Sequence, residues 1–142
     1  MQEPLHIDFD LEPQSQLRPR AAVSRLTHHI FMYDPKSTHI YKQTLHEAAL
    51  SLYDGSPLTS ALSVEVSFYR KVQQSLSHVE HDRRINGLHR PTVKPDTDNY
   101  IKAFLDAMTG VIWKDDAQIV DLSAHKYYAD EPHITLDVVN LE

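Results

Sequence analysis

Cysteine is absent from the 142 residues, so disulfides and thiolate metal sites are excluded and a reducing compartment poses no difficulty. No apolar run approaches the roughly 20 residues that would span a bilayer, and no membrane partner is expected. The amino terminus, Met1-Gln-Glu-Pro-Leu-His6, lacks a basic segment followed by an apolar stretch. No signal peptide is therefore expected, and a cytoplasmic location is. Repeats, low-complexity tracts and helical Glu-x-x-Glu pairs are also missing. The length reads as one domain, residues 1–142, with a core small enough that dimerisation would add useful burial.

Net charge is −6, which taken alone argues against a nucleic-acid partner. Its distribution argues otherwise. Residues 83–102 carry Arg83, Arg84, Arg90, Lys94 and Lys102 against Asp96 and Asp98, and residues 14–36 carry Arg18, Arg20, Arg25 and Lys36 against Asp34. Much of the acid lies elsewhere, in Glu3, Asp8, Asp10 and Glu12 and in Asp130, Glu131, Asp137 and Glu142. A local phosphate-binding face is compatible with that layout.

Alternating apolar and polar residues predict strands at Leu5 to Leu11, Leu58 to Tyr69 (Leu62, Val64, Val66 and Phe68 on one face), Ile119 to Tyr128, and His133 to Leu141 with Ile134, Leu136 and Val138 inward. Ile30 to Tyr33 favours a further short strand, although Ala22 to Tyr33 as a whole is ambiguous. Helical spacing predicts a helix from Pro35 to about Tyr53, lined by Ile40, Leu45, Ala48, Ala49 and Leu52. A second runs from about Thr97 to Met108 and buries Ile101, Phe104, Leu105 and Met108. Gln73 to Ile85 reads as a short polar helix ended by Asn86-Gly87. The element order predicts an α+β fold, a mixed or antiparallel sheet with two to three helices.

The most informative stretch runs from Lys94 to Ile119. It gathers Asp96, Asp98, Asp106, Asp115 and Asp116 around Lys102. Carboxylates repel one another, so a fold that collects them needs a cation, and hard oxygen donors without cysteine favour Mg²⁺ or Mn²⁺. Attack on a phosphodiester is the chemistry such an ion beside a lysine serves best. Each residue also has a plainer explanation. Asp96 is placed to cap a helix, Asp98, Lys102 and Asp106 to form an i,i+4 ion-pair ladder, and Asp115-Asp116 to make an ordinary turn. The ten histidines are scattered and read as incidental surface residues. Trp113 and Tyr127-Tyr128 read as core or dimer interface.

The pattern Lys94-Pro-Asp-x-Asp-Asn-x-x-Lys-Ala-x-x-Asp-Ala107, followed by Trp113-x-Asp-Asp-Ala-Gln-Ile119, resembles the RusA-type Holliday junction resolvases, crossover junction endodeoxyribonucleases common in phages and prophages. The match is tight from Lys94 to about Tyr128. A looser likeness to the phage and Gram-positive branch begins near Arg18-Pro-Arg20 and includes Tyr33-Asp34-Pro35-Lys36. The resemblance implies a RusA-like fold and a Mg²⁺-dependent homodimer that nicks four-way DNA symmetrically in recombination and repair, with Mn²⁺ as a possible substitute. It implies Asp96, Asp98 and Asp116 as metal-binding catalytic acids and Lys102 as the catalytic lysine. Asp106 and Asp115 are then supporting residues, while Arg18, Arg20, Arg83, Arg84, Arg90 and Lys94 are candidates for DNA contact. The link Thr109-Gly110 is shorter than in some relatives. The competing functions are a metal-dependent nucleotide pyrophosphohydrolase and a branched-DNA-binding protein that does not cut.

Overall fold

The computed structural model describes residues 4–142, and the part of the amino-terminal reading that falls on residues 1–3 lies outside them. Six strands and three helices follow in the order β1 (Leu5–Phe9), β2 (Arg20–Val23), β3 (Ile30–Tyr33), α1 (Lys36–Leu52), β4 (Leu62–Lys71), α2 (His78–Ile85), α3 (Thr97–Met108), β5 (Ile119–Ala129) and β6 (His133–Asn140). This is the expected α+β order. β1, β6, β4 and β5 lie side by side in that order. β4 pairs in parallel with β5, while the β1–β6 and β6–β4 pairs are antiparallel, so the sheet is mixed.

Side-chain alternation on β4 and β6 aims Leu62, Val64, Val66, Phe68, Ile134, Leu136 and Val138 at one face, and all are buried. α1 and α3 cover that face. Phe104 of α3 packs edge-on against Phe9 and Phe68 at 5.5 and 5.9 Å, and Tyr100 stacks on Phe68 at 5.1 Å. Such aromatic pairs contribute about 0.5–1.5 kcal/mol each beyond area burial. They fix the rotation of α3, and with it the direction in which Asp98, Lys102 and Asp106 point.

Some expectations need correction. Ile40 and Leu52 do not line the buried side of α1 and are exposed, while Thr38, Tyr41, Leu45 and Ala49 are buried there. The narrow contact with α3 accepts the stripe through Tyr41 and leaves its neighbours to solvent. On α3, Ile101 and Leu105 are only half-buried, and Tyr100, Ala103 and Ala107 join Phe104 and Met108 in the core. The strand expected from Leu58 begins at Leu62, because Leu58 instead bridges to Trp113. The ambiguous region before Tyr33 is a separate two-stranded hairpin, β2–β3. His28 closes its turn at φ 59°, a left-handed conformation.

Candidate active site

α3 begins at the residue expected to cap it, but the cap is not made. Asp96 has the extended backbone of an N-cap, yet its side chain accepts no capping hydrogen bond. The plain explanation for this aspartate therefore does not hold, and its carboxylate is left for other partners. Asp98 accepts from the backbone N–H of Asn99 at 3.0 Å and is otherwise exposed. The approach to Asp96 is held by two cations that sequence reasoning missed. Arg70 of β4 donates to the Lys94 carbonyl at 2.8 Å, and Lys126 of β5 donates to the Val93 and Pro95 carbonyls at 2.9 Å each. Burial lowers the Lys126 pKa and Arg70 adds to the effect, while the charge of Asp96 opposes it.

The far end of α3 has its own clamp. Among the described residues no ion pair joins Lys102 to Asp98 or Asp106, so the plainer explanation by an ion-pair ladder does not hold. Asp106 instead accepts from Lys42 of α1 at 3.0 Å, and Lys42 also donates to Asp34 at 2.9 Å. The Gln16 amide donates to Asp34 at 3.0 Å, and the Gln16 backbone N–H donates to the Asn99 carbonyl. Burial works against the Lys42 ammonium, but the two carboxylates outweigh it and its pKa is raised. Lys42 in turn holds the Asp34 carboxyl below the usual carboxylate range, against burial and with help from Gln16.

The Trp113 motif is explained mostly by the turn it builds. Trp113 is fully buried and donates from Nε1 to the Thr109 hydroxyl at 3.2 Å. Asp115 caps the short 3-10 turn Asp116–Gln118 by accepting from the Ala117 N–H. The Gln118 side chain answers by accepting from the Asp115 N–H and donating to the Leu58 and Ser60 carbonyls at 2.8 and 2.9 Å. Asp115 thus serves the turn. Asp116 is left over and exposed, and its pKa is raised by desolvation from the surrounding turn, then by the hydrogen bond and charge of Asp115 and the charge of Asp106. The turn therefore lies within electrostatic reach of the last turns of α3.

Asp96 and Lys94 open with Gln16, Arg18 and Asn99 onto one cleft of about 500 Å³. Two of the basic residues singled out by sequence, Arg18 and Lys94, thus stand beside Asp96. Arg20 is exposed on β2, and Arg83 is exposed on α2. Arg84 and Arg90 are tied into the fold. Arg84 donates to Glu80 at 3.0 Å and lies over the Tyr128 ring, while Arg90 donates to the Lys126 carbonyl at 3.0 Å and lies over Tyr127. Tyr127 and Tyr128 are accordingly half-buried supports for arginines, whereas Trp113 is core. Among the described residues no three His, Asp or Glu side chains are gathered closely enough to hold an ion.

Two likenesses bear on this arrangement. A model of the family described as Endodeoxyribonuclease RusA matches residues 10–139. An uncharacterized protein of Bacillus subtilis (strain 168), YqaN, is 37% identical over 125 residues, covering 87% of each chain. The matched span takes in the cleft at Asp96, the Lys42 clamp and the Trp113 turn alike, and the chain belongs to the endodeoxyribonuclease RusA family.

Proposed function

We propose that this protein is a divalent-metal-dependent endonuclease that cuts branched DNA, four-way junctions above all, as a homodimer with two sites in fixed relation. The observation that carries the reading is the uncapped Asp96 carboxylate, set in a cleft beside Arg18 and Lys94. An acid freed from local structural duty next to phosphate-binding cations fits a phosphodiesterase better than a helix stop.

The donor chemistry fits Mg²⁺, with Mn²⁺ as a substitute. All candidate ligands are hard oxygens, and the ionised form of Asp116 is disfavoured by desolvation and then by Asp115 and Asp106, which a cation would offset. Among the described residues no three acids already stand together, so Asp96, Asp98 and Asp116 would hold it by closing around the ion. Bound there, the metal supplies a more acidic water and charge neutralisation at the phosphate. The chain's own residues do the rest. Lys102, one turn beyond Asp98 on the same face of α3, would offset charge on the non-bridging oxygens in the transition state. Arg18 and Lys94 would hold the flanking phosphates of the scissile strand. Lys42, by engaging Asp106, keeps that carboxylate off Lys102. Residues 1–142 act as one domain, and a cytoplasmic location suits its DNA substrate. No helix among the described residues is long and apolar enough to cross a membrane.

The test is to incubate the protein with a labelled four-way junction, a linear duplex and a nucleoside triphosphate, with and without Mg²⁺. Paired nicks in the junction that need Mg²⁺ are expected. Triphosphate hydrolysis would identify a pyrophosphohydrolase, and junction binding without cutting would identify a binding protein. Light scattering that finds a monomer, both free and on the junction, would defeat the dimer.

A further inference from the structure

The β2–β3 hairpin pairs strand to strand, and residues at its base, Arg18 and Asp34, tie it to the rest of the fold. All four residues of β3 are exposed, as are three of the four in β2, and Leu26 at the tip is 93% exposed. Two-stranded hairpins are marginal by themselves in water, and large apolar side chains held in solvent mark a surface awaiting a partner. The antiparallel register decides which side chains share a face. Arg20 lies opposite Tyr33 and Ala22 opposite Phe31, so Arg20, Phe31 and Tyr33 stand together. The Phe31 and Tyr33 rings are 6.1 Å apart and tilted by 44°, so each offers a ring face of its own, at 48% and 44% residue exposure.

The base of this arm is tied to the candidate active site from both strands. Arg18, two residues before β2, lines the Asp96 cleft, and Asp34, one residue after β3, is held by Gln16 and Lys42 and through Lys42 joins Asp106. The charge around the arm is one-sided. Arg18, Arg20, Arg25 and Lys36 are opposed only by Asp34, which Lys42 already engages. A cationic arm with exposed aromatic faces, rooted beside a phosphodiester site, is complementary to nucleic acid whose bases are accessible.

We propose that the Arg20–Phe31–Tyr33 face of the hairpin docks on unpaired bases at the branch point of the DNA, with Phe31 and Tyr33 stacking on bases and Arg20 pairing with an adjacent phosphate. This rests on the branched-DNA reading above and adds the element that senses the branch. In a duplex the base faces are covered by their neighbours, so stacking there requires unpairing. At a branch point that cost is lower, and the arm would favour branched over linear DNA.

The test uses the full chain in EDTA, so that binding is read apart from cleavage, and a four-way junction carrying 2-aminopurine either at the branch or within an arm. The wild type is expected to change fluorescence at the branch position only. Phe31→Ala with Tyr33→Ala should lose that signal and bind the junction about ten-fold more weakly for each ring removed, with linear-duplex affinity nearly unchanged. Phe31→Trp with Tyr33→Trp should retain both signal and affinity, which separates stacking from simple damage. An alanine variant that keeps the branch signal and affinity overturns the proposal, even if the wild type cuts junctions as expected. A fall from dimer to monomer in the alanine variant, with the branch signal intact, also overturns it and assigns the face to a second copy of the chain. If the wild type fails to cut but its branch signal depends on the two rings, the hairpin proposal stands and the endonuclease reading falls.

Discussion

The Lys42 ammonium on α1 lies 3.0 Å from the Asp106 carboxylate on α3 and 2.9 Å from Asp34, so one cation binds two helices and the base of the hairpin together. The Lys42 side chain is 18% exposed, which shields the arrangement from much of the screening that weakens surface pairs. It also takes from Lys102 the partner that helical spacing had assigned to it.

Removing that cation should be costly. Lys42→Met leaves Asp34 and Asp106 facing one another without compensation, and unfolding free energy should fall by about 1–2 kcal/mol, less than for a fully buried pair because Asp106 is well exposed. The effect should depend on pH. The Asp34 carboxyl is held below its ordinary value near 3.8, so the stability it contributes is present above that value and is lost as pH falls through the depressed one. Urea midpoints for wild type and variant should differ at pH 7 and converge under strong acid. Equal midpoints at pH 7 would show that the clamp contributes nothing.

Asp98→Asn is expected to abolish cutting while junction binding in EDTA stays equal or tightens. The change is nearly isosteric and removes a charge that repels phosphate when no metal is present. Gel shifts beside cleavage assays in Mg²⁺ check both halves, and near-native cutting would remove Asp98 from the ligand set.

Lys102→Ala should lose about 10²–10³ in rate, the scale for one positioned electrostatic group, and keep its metal affinity. Mn²⁺ titration by calorimetry alongside single-turnover cleavage separates the two roles. Rescue of the rate by high Mg²⁺ would mean that Lys102 only orders the aspartates.

Asp116→Asn offers a test with opposite signs. The raised pKa of Asp116 means that the fold disfavours its ionised form, so metal-free stability falls as pH rises from the ordinary carboxylate value through the raised one. At neutral pH and in EDTA the asparagine variant should therefore be as stable as wild type or more stable by a few tenths of a kcal/mol, since water screens so exposed a group. Its cutting should be lost. Thermal melts with EDTA and with Mg²⁺ check this, because only the wild type should gain stability from the metal.

Charge reversal by Arg18→Glu and Arg20→Glu should weaken junction binding and flatten its salt dependence, by about 0.9 in the log–log slope for each phosphate that is no longer neutralised. Unchanged slopes would take these arginines off the DNA face. The corresponding change at Arg84 should cost folding as well, because that side chain supports α2 through Glu80 and Tyr128.

What the sequence determined was local. The inward face of β4, the bounds of α3 at Thr97 and Met108, the turn at Asp115-Asp116 and the element order all follow from side-chain period and turn chemistry within a few residues. The candidate acids and Lys102 could be singled out for the same reason, since they sit on one helix and one adjoining turn, whereas Arg70 and Lys126 reach the site from β4 and β5. Tertiary structure decided what depends on distant partners. β6, the last strand, inserts between β1 and β4, and Lys42 finds Asp106 across 64 residues. Lys126 on β5 organises the carbonyls before Asp96, while the Asp98 carboxylate accepts from the Asn99 N–H that a cap at Asp96 would have taken. Ile40 and the hairpin apolar residues carry the same hydrophobicity as core residues, and only the packing of α1 and of the hairpin leaves them in water. Periodicity records which residues share a face, but burial of that face and pairing of its charges require a second element, whose place is set by packing of the whole chain.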